Sequence, residues 1–172
     1  MTPVLVRYAE KEDIRDLTDL YNYYIINSSS TFDVVPKTYE ERCAWFEAHP
    51  QESRYKIIAA EHPNHGIVGF TSSNPLRPKD AYNTSIETTI YVHPDHKAQR
   101  IGLQLYQKLF DELSLLAGTE EDVHRAYSCI ALPNPASIAL HTTFNFITVG
   151  VFHEAGKKFG TYISIQWMEK CL

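Results

Sequence analysis

The chain has 172 residues, of which 44% are hydrophobic and 22% charged, and a formal net charge of −5 at pH 7. This length suits one domain, residues 1–172, with a core that needs no disulfide or metal staple, and the composition excludes a disordered chain, a coiled coil and a collagen-like repeat. An acidic chain with scattered lysines and arginines also lacks the basic patch of a nucleic-acid-binding protein, so no nucleic-acid partner is expected.

The first half of the chain alternates between strand and helix patterns. In chain order, we predict a strand at 4–8, a helix at 14–25, a helix at 39–49, and strands at 55–61 and 67–73. Ser28 breaks the first helix, and Thr38 with Glu41 makes a capping box at the start of the second. The two strands suit a hairpin, and residues 74–82, with two prolines, predict a surface loop.

The second half continues the alternation. In chain order, we predict a strand at 85–92, a helix at 103–116, a strand at 126–131, a helix at 135–141, and strands at 147–153 and 162–167. Asn134 and Pro135 suit the N-cap and first position of the fourth helix, and Asn145 suits a left-handed exit from it. A turn near Ala155 and Gly156 separates the last two strands. This order predicts an α/β (α+β) protein with a mixed sheet flanked by helices.

Several familiar site motifs are absent from the sequence. It has no Walker sequence, no G-x-G-x-x-G, no G-x-S-x-G and no C-x-x-C. Cys43, Cys129 and Cys171 lie far apart, which favours reduced thiols in a reducing compartment. Charged residues precede any apolar run at the N-terminus, and no apolar run approaches the ~20 residues of a membrane span, so we expect a cytoplasmic protein with no membrane partner.

The most informative stretch for function runs from Glu87 to Gly102. A strand that carries Glu87 on one face ends near His93, and a short polar turn with Lys97 and Arg100 leads directly into the third helix. The N-terminus of a helix presents unpaired N–H groups and a partial positive charge, which suit a phosphate. Strand-turn-helix connections are also common, so this pattern alone leaves an ordinary structural turn open.

Short segments over nearly the whole chain match one known family in order and near-identical spacing. They are Thr31-Phe32-Asp33, Glu40-Glu41-Arg42, Ala44-Trp45-Phe46, Arg77-Pro78-Lys79, Ala81-Tyr82, Glu87, Tyr91-Val92-His93-Pro94-Asp95-His96, Leu132-Pro133-Asn134, Ser137-Ile138-Ala139-Leu140-His141, Gly156-Lys157-Lys158-Phe159-Gly160 and Trp167. On these segments the chain resembles the GNAT acyltransferase superfamily and, within it, the phosphinothricin N-acetyltransferase family. The resemblance implies a largely antiparallel mixed sheet of six or seven strands with a splayed central strand, flanked by four helices.

The resemblance implies a phosphate-binding turn. In GNAT proteins the turn after the central strand follows the pattern Gln/Arg-x-x-Gly-x-Gly/Ala, and its amides hold the CoA diphosphate. The residues at this turn are Lys97, Ala98, Gln99, Arg100, Ile101 and Gly102. Arg100 replaces the middle glycine. Its guanidinium can contact a phosphate, or its Cβ can crowd the close backbone approach that glycine allows.

The resemblance places the rest of CoA along the splayed strand and the fourth helix. The pantetheine arm would pair with the backbone of Ile90, Tyr91 and Val92 almost as an added strand. Asn134 and Ser137 would contact CoA at the N-terminus of the fourth helix. Plain helix capping is the alternative for these two residues.

Two catalytic roles also follow from the resemblance. Glu87 matches the family's proposed base, and a carboxylate there would take a proton from the acceptor's ammonium group, directly or through water. His141 matches a histidine that stands where many GNAT proteins have a tyrosine that protonates the departing CoA thiolate. The alternatives are an exposed strand glutamate for Glu87 and a hydrogen-bonded helix histidine for His141.

Five residues match family positions near the acceptor pocket: Phe32, Arg77, Lys79, Tyr82 and Phe159. Arg77 or Lys79 would hold a carboxylate or phosphinate, and ordinary surface charge or peripheral packing is the alternative for each of the five. His93, Asp95 and His96 also suggest a metal site. No further ligand has suitable spacing in the sequence, so no metal is expected.

The sequence therefore predicts a GNAT-fold enzyme that acetylates the α-amine of a small amino acid or analogue, with acetyl-CoA as donor. Phosphinothricin, methionine sulfoximine and methionine sulfone are the acceptors that the resemblance implies, and it also implies a homodimer. Two further hypotheses remain. One is a protein or peptide N-acetyltransferase, and the other is a non-catalytic acyl-CoA-binding regulatory module whose phosphate turn is altered at Arg100.

Overall fold

The computed structural model describes residues 3–97 and 99–172. In these residues, the alternating and helical patterns of the sequence correspond to seven strands and four α-helices. They are β1 (Leu5–Tyr8), α1 (Ile14–Asn27), α2 (Tyr39–Glu47), β2 (Ile57–His62), β3 (Gly66–Pro75), β4 (Ser85–Val92), α3 (Ile101–Ser114), β5 (Arg125–Ala131), α4 (Pro135–Thr143), β6 (Ile147–Lys158) and β7 (Thr161–Cys171). This order of elements is the predicted one. No helix in the described part of the chain is long and apolar enough to cross a membrane.

All seven strands form one sheet in the order β1-β2-β3-β4-β5-β7-β6. Every neighbouring pair is antiparallel except β4 and β5, which run parallel. The parallel ladder pairs only Ser85, Ile86 and Glu87 with residues 125–127. Beyond Glu87 the two strands diverge, which confirms the mixed, largely antiparallel GNAT fold with a splayed central strand.

The alternation of side chains along the strands divides the core into two layers. Ile58 and Ile86 lie on one face of the sheet, in a buried cluster with Leu105 and Leu109 of α3. The opposite face carries a second cluster, which includes Leu17, Leu20 and Tyr24 of α1 together with Ala59 and Phe70. The sheet is therefore covered on both faces, and β4 lies in its middle, between the two helical layers.

The predicted helix caps agree with the structure, whereas α2 ends at Glu47 instead of 49, and α3 covers Ile101–Ser114 instead of 103–116. The Thr38 hydroxyl accepts from the Glu41 amide, and the Glu41 carboxylate accepts from the Thr38 amide, which is the predicted capping box. Asn134 caps α4 by accepting from the Ser137 amide. Asn145 follows α4 with φ +64°, the predicted left-handed exit.

The predicted turn at Ala155 and Gly156 is wrong. β6 continues to Lys158, and the chain turns at Phe159 and Gly160, which have φ of +52° and +78°. A bulge between Phe152 and Gly156 takes up the irregular residues that the sequence suggested were a turn. Two consecutive residues with positive φ match the twist of the strands they join, which favours a tight hairpin at this position.

The hairpin of β6 and β7 is tied to the loop after α1. The buried Lys158 ammonium donates to the Thr31 carbonyl over 2.7 Å. The Phe32 ring lies so close to Gly156 that a Cβ there would clash with it. These contacts fix the tip of the hairpin against the α1–α2 layer.

We expect Lys158→Met to destabilise the protein by about 1–3 kcal/mol, because it removes a buried, charge-assisted hydrogen bond to the Thr31 carbonyl. Urea unfolding measures this loss. The matched control is Lys157→Met, since Lys157 is exposed and its loss should change the free energy of unfolding by less than about 0.5 kcal/mol. Equal losses of unfolding free energy in the two variants would show that the hydrogen bond from Lys158 to Thr31 contributes nothing to stability.

Candidate active site

The divergence of β4 from β5 opens a cavity of about 460 Å³, called here the gap cavity. Its walls are residues 88–92 of β4 and 128–131 of β5, and α4 contributes Asn134, Ser137 and His141. Tyr24 of α1 also borders the gap cavity, and its hydroxyl donates to the Val92 carbonyl over 2.5 Å. An elongated ligand in this space would meet β4 along the edge that β5 leaves free.

The turn before α3 closes one end of the gap cavity. Arg100 has φ +58°, the left-handed conformation that favours glycine, and its carbonyl accepts the first bond of α3 from Gln104. Gly102 packs close to Leu140 of α4, and a Cβ there would lie 3.2 Å from the leucine methyl. The N-terminus of a 14-residue helix thus faces the cavity, with its partial positive charge.

The structure brings most of the predicted CoA-contacting residues to this cavity. Those that line it are Ile90, Tyr91, Val92, Lys97, Arg100, Ile101, Gly102, Asn134 and Ser137. Gln99 is not in the lining, and Ala98 lies outside the described residues. The sequence did not indicate the contribution of Ser128 and Cys129, because the gap that exposes them arises only when the strands diverge.

A second cavity of about 420 Å³, called here the Glu87 cavity, lies on the α1–α2 side of the sheet. Glu87 is half-buried in its wall, and burial raises the pKa of the carboxyl group, while the nearby Arg77 charge opposes that rise. No hydrogen bond to this carboxylate is found among the described residues. A carboxylate with a raised pKa and no partner is suited to accept a proton near neutral pH.

The two cavities meet at β4. Thr89 and Tyr91 line both of them, while Glu87 lines only the Glu87 cavity. A ligand in one cavity can therefore approach a ligand in the other across a single strand. This is the arrangement that a group transfer between two bound molecules requires.

His141 is buried, with 2% of its surface exposed, at the border of the gap cavity. Its Nδ1 lies 2.7 Å from the Ser137 carbonyl, which only accepts, so Nδ1 carries the proton and Nε2 accepts from the Tyr106 hydroxyl at 2.7 Å. Burial lowers the pKa of His141. The single proton of the neutral imidazole is donated to the Ser137 carbonyl, and Nε2 has none to give to a leaving group.

The predicted acceptor residues do not line the Glu87 cavity. The charge of Arg77 acts on Glu87, and the Arg77 guanidinium lies 5.7 Å from the ring centre of Trp167. Lys79 and Tyr82 are exposed in the loop after β3. Phe32 packs beside Gly156, and Phe159 is exposed at the tip of the β6–β7 hairpin.

Arg42 is a lining residue of the Glu87 cavity that sequence reasoning missed. It is 6% exposed, and its guanidinium carbon lies 3.5 Å from the ring centre of Trp45, one turn further along α2. The signal in the sequence was the i, i+3 spacing of an arginine and a tryptophan on this helix. The spacing alone does not show that the helix face is buried.

The fold also gathers histidines that the sequence kept apart. His62 and His65, at the β2–β3 turn, place their ring centres 5.2 Å from that of His96. The spacing along the chain did not indicate this gathering, because His62 and His65 lie on a different turn from His96. No group of three or more candidate ligands in the described part of the chain is arranged to hold a metal ion.

Comparisons with known proteins agree with this geometry. The acetyltransferase (GNAT) domain matches residues 6–167. The phosphinothricin N-acetyltransferase of Streptomyces coelicolor is 45% identical over 170 residues, covering 98% of this chain and 96% of that protein. The L-methionine sulfoximine/L-methionine sulfone acetyltransferase of Salmonella typhimurium is 27% identical over 164 residues, covering 95% and 92%. A Salmonella typhimurium structure solved with its cofactor acetyl-CoA superposes with a TM-score of 0.89 at 27% identity, covering 98% and 94%.

We expect Arg100→Gly to stabilise the protein by about 1 kcal/mol, because glycine adopts φ +58° without the cost that a Cβ imposes. Thermal unfolding measures this change, with Arg100→Ala as the control that keeps the Cβ.

The same variants separate the two possible effects of Arg100 on the binding of acetyl-CoA. If the guanidinium contacts a phosphate, both variants bind acetyl-CoA more weakly in calorimetric titration, and tighter binding by Arg100→Gly alone would show that the Cβ is the obstacle.

Proposed function

The chain belongs to the GNAT acetyltransferase family, and we propose that it transfers the acetyl group of acetyl-CoA to the α-amine of a small amino acid. The observation that carries this proposal is the meeting of the two cavities at Thr89 and Tyr91, with Glu87 on the acceptor side. The relatives named for phosphinothricin and for methionine sulfoximine and sulfone support acceptors of that size and type.

Acetyl-CoA supplies a thioester whose acyl carbon is open to attack by an amine. The N-terminal turn of α3 holds its diphosphate, with Lys97 and Arg100 adding positive charge. The free edge of β4 from Ile90 to Val92 holds the pantetheine arm, and Asn134 and Ser137 contact CoA at the start of α4. In this proposal, residues 128–131 of β5 close the other wall of the gap cavity.

Glu87 is the proposed base. Its carboxylate takes a proton from the acceptor's ammonium group, which leaves a neutral amine to form the new C–N bond. Backbone N–H groups of β4 at the gap stabilise the negative charge that develops on the acyl oxygen. The C–S bond then breaks and the CoA thiolate leaves with a proton from the reacting nitrogen or from solvent.

His141 was expected to give the thiolate its proton, and this role requires its protonated form. Burial disfavours that form. The hydrogen bonds from Nδ1 to Ser137 and from Tyr106 to Nε2 favour a positioning role for the neutral ring at the wall of the gap cavity. We therefore propose His141 as a positioning residue, with its action as the general acid as the alternative.

The other hypotheses make different demands on the site. A peptide acceptor would have to extend beyond a cavity of about 420 Å³, so the size of the Glu87 cavity favours a small molecule. A non-catalytic CoA-binding module has no use for a half-buried carboxylate with a raised pKa in a cavity beside the one that would hold CoA. Both remain outcomes of the assay described below.

We also propose a single-domain, cytoplasmic homodimer that uses no metal. One continuous sheet supports the single domain, and three free cysteines suit a reducing compartment. β6 lies at the edge of the sheet and exposes Ile147, Val149 and Val151. An exposed apolar edge strand is a ready surface for a second copy of the chain.

The test of the proposed function is acetyl transfer to phosphinothricin, methionine sulfoximine, methionine sulfone and the common amino acids, with products identified by mass. We expect Glu87→Gln to lower kcat by about 10²–10⁴-fold, because it removes the base without changing the size of the side chain. Unchanged acetyl-CoA affinity in this variant shows that the loss is chemical. Acetylation of peptides alone, or acetyl-CoA binding with no product, would contradict the proposal.

The pH profile tests the role of Glu87 independently. Because burial raises its pKa, the carboxylate becomes protonated, and activity falls, at a pH above the ordinary value for glutamate. The rising limb of kcat/KM against pH should therefore lie above that value in the wild type and vanish in Glu87→Gln. The residual activity of this variant should follow only the ionisation of the acceptor amine. A limb that persists in the variant at the same pH as in the wild type would assign the titration to another group.

Light scattering tests the homodimer. We expect a mass of about twice the chain mass of 19.7 kDa. Val149→Lys places a charge on the exposed face of β6 and should give monomers, whereas Val35→Lys changes an equally exposed valine in the loop between α1 and α2 and should leave the dimer intact. A monomeric wild type would refute the dimer.

A further inference from the structure

Thr89 lies where the gap cavity and the Glu87 cavity meet, because it lines both of them. The residue is half-buried, whereas the neighbouring Thr88 is only 3% exposed. Residues i and i+2 of a strand share a face, so the Thr89 side chain lies on the same face of β4 as that of Glu87. A hydroxyl group at the border of two ligand spaces is placed to contact the groups that react there.

The Thr89 hydroxyl keeps hydrogen-bonding capacity for a ligand. Its Oγ1 lies 2.8 Å from Oγ of Ser72, the residue opposite Thr89 in the β3–β4 ladder, which is 1% exposed. No other hydrogen bond of this hydroxyl is found among the described residues. A hydroxyl carries one donor and two acceptor lone pairs. Whichever of the two oxygens donates, Thr89 Oγ1 therefore keeps a lone pair that can accept from a ligand.

The spacing of Glu87 and Thr89 suits one nitrogen held between them. Two residues of strand span about 7 Å, and a nitrogen with hydrogen bonds of about 2.9 Å to two oxygens bridges up to about 6 Å. The flexible Glu87 side chain can approach over the remaining distance. Tyr91 also lines both cavities, but it is four residues from Glu87, and the span of about 13 Å is too long for such a bridge.

The divergence of β4 and β5 places this nitrogen beside the gap cavity. The backbone ladder between the two strands ends at Glu87, so Thr89 lies on the part of β4 that β5 leaves free. The proposed place of the pantetheine arm begins at the next residue, Ile90. A nitrogen between Glu87 and Thr89 therefore faces the end of the gap cavity where the thioester would lie.

We propose that Thr89 is a further catalytic residue, whose hydroxyl oxygen accepts a hydrogen bond from the reacting nitrogen and keeps that nitrogen between Glu87 and the thioester. This inference rests on the proposed function and adds a residue to its acceptor site. An ammonium group has three N–H bonds, so it can donate to both side chains. Once Glu87 has taken one proton, opposite charge no longer holds the neutral amine. The bond to Thr89 then retains the amine until the new C–N bond forms.

The first test is Thr89→Val, which removes the hydroxyl and keeps the shape of the side chain. We expect kcat/KM for methionine sulfone to fall about 10- to 100-fold, because one hydrogen bond to the reacting amine is lost, while the KM for acetyl-CoA changes less than about 2-fold. Thr89→Ser keeps the hydroxyl and should retain activity within about 5-fold of the wild type. The rising limb of the pH profile should remain in both variants, since Glu87 is still the base.

Ser72→Ala is the matched control, because it removes the hydrogen-bond partner of Thr89 and leaves the Thr89 hydroxyl in place. If Thr89 served only to satisfy the buried Ser72, the two single variants would lose the same activity. We expect Ser72→Ala to lower kcat/KM less than about 5-fold. The double variant Ser72→Ala/Thr89→Val removes both hydroxyls, so neither is left unpaired. It should fold and show the loss of Thr89→Val, which keeps the test decisive even where that single variant is unstable.

A binding experiment tests the contact directly. Calorimetric titration with CoA in place of acetyl-CoA compares methionine sulfone with its desamino analogue, which carries no nitrogen. We expect Thr89→Val to bind methionine sulfone about 10-fold more weakly than the wild type does, and both proteins to bind the desamino analogue equally. Equal weakening for the two ligands would show that the hydroxyl does not contact the nitrogen, and would overturn the inference.

Two kinetic results would also overturn the inference and leave the proposed function standing. One is an unchanged kcat/KM in Thr89→Val, and the other is an equal loss of kcat/KM in Ser72→Ala. Failure of the wild type to acetylate any amino acid would overturn both the inference and the proposed function.

Discussion

The site depends on the point where β4 and β5 part. The backbone ladder between them ends at Glu87 and Tyr127. At the next residue the Thr88 hydroxyl lies 2.6 Å from that of Ser128, so side-chain hydrogen bonds continue where backbone bonds stop. Tyr106 of α3 reaches Thr88 at 3.2 Å and donates to His141 of α4. These four polar groups are at most 3% exposed, and together they hold both helices at the fork in the sheet.

This fork explains why one strand serves two ligands. Side chains of β4 alternate between its faces, so Thr88 contacts the α3–α4 layer, while Glu87, Thr89 and Tyr91 border the Glu87 cavity on the α1–α2 side. The backbone edge of β4 that faces away from β3 has lost β5 as a partner beyond Glu87. A cofactor arm can pair with that edge while the acceptor lies against the side chains. The fork therefore gives a single sheet the space for two ligands that would otherwise need a cleft between domains.

Local signals predicted much of the fold and part of the site. The capping residues Thr38 and Asn134 and the alternation around Glu87 are short-range features, so the sequence predicted the helix starts and the central strand. The turn of β6 was misplaced because Phe159 adopts a positive φ that its residue type does not indicate. Arg42 was missed because its burial depends on Phe70 and Tyr21, which only the packing of α1 and α2 on the sheet brings to it.

Glu87 and Arg42 both line the Glu87 cavity, and the same cause shifts their pKa values in opposite directions. Burial raises the pKa of Glu87 and lowers that of Arg42, so in each case the desolvated charged form is disfavoured. An ammonium group beside Glu87 would offset that cost for the carboxylate by placing an opposite charge next to it. The proposed preference for an acceptor that carries an amine therefore follows from the desolvated carboxylate of Glu87.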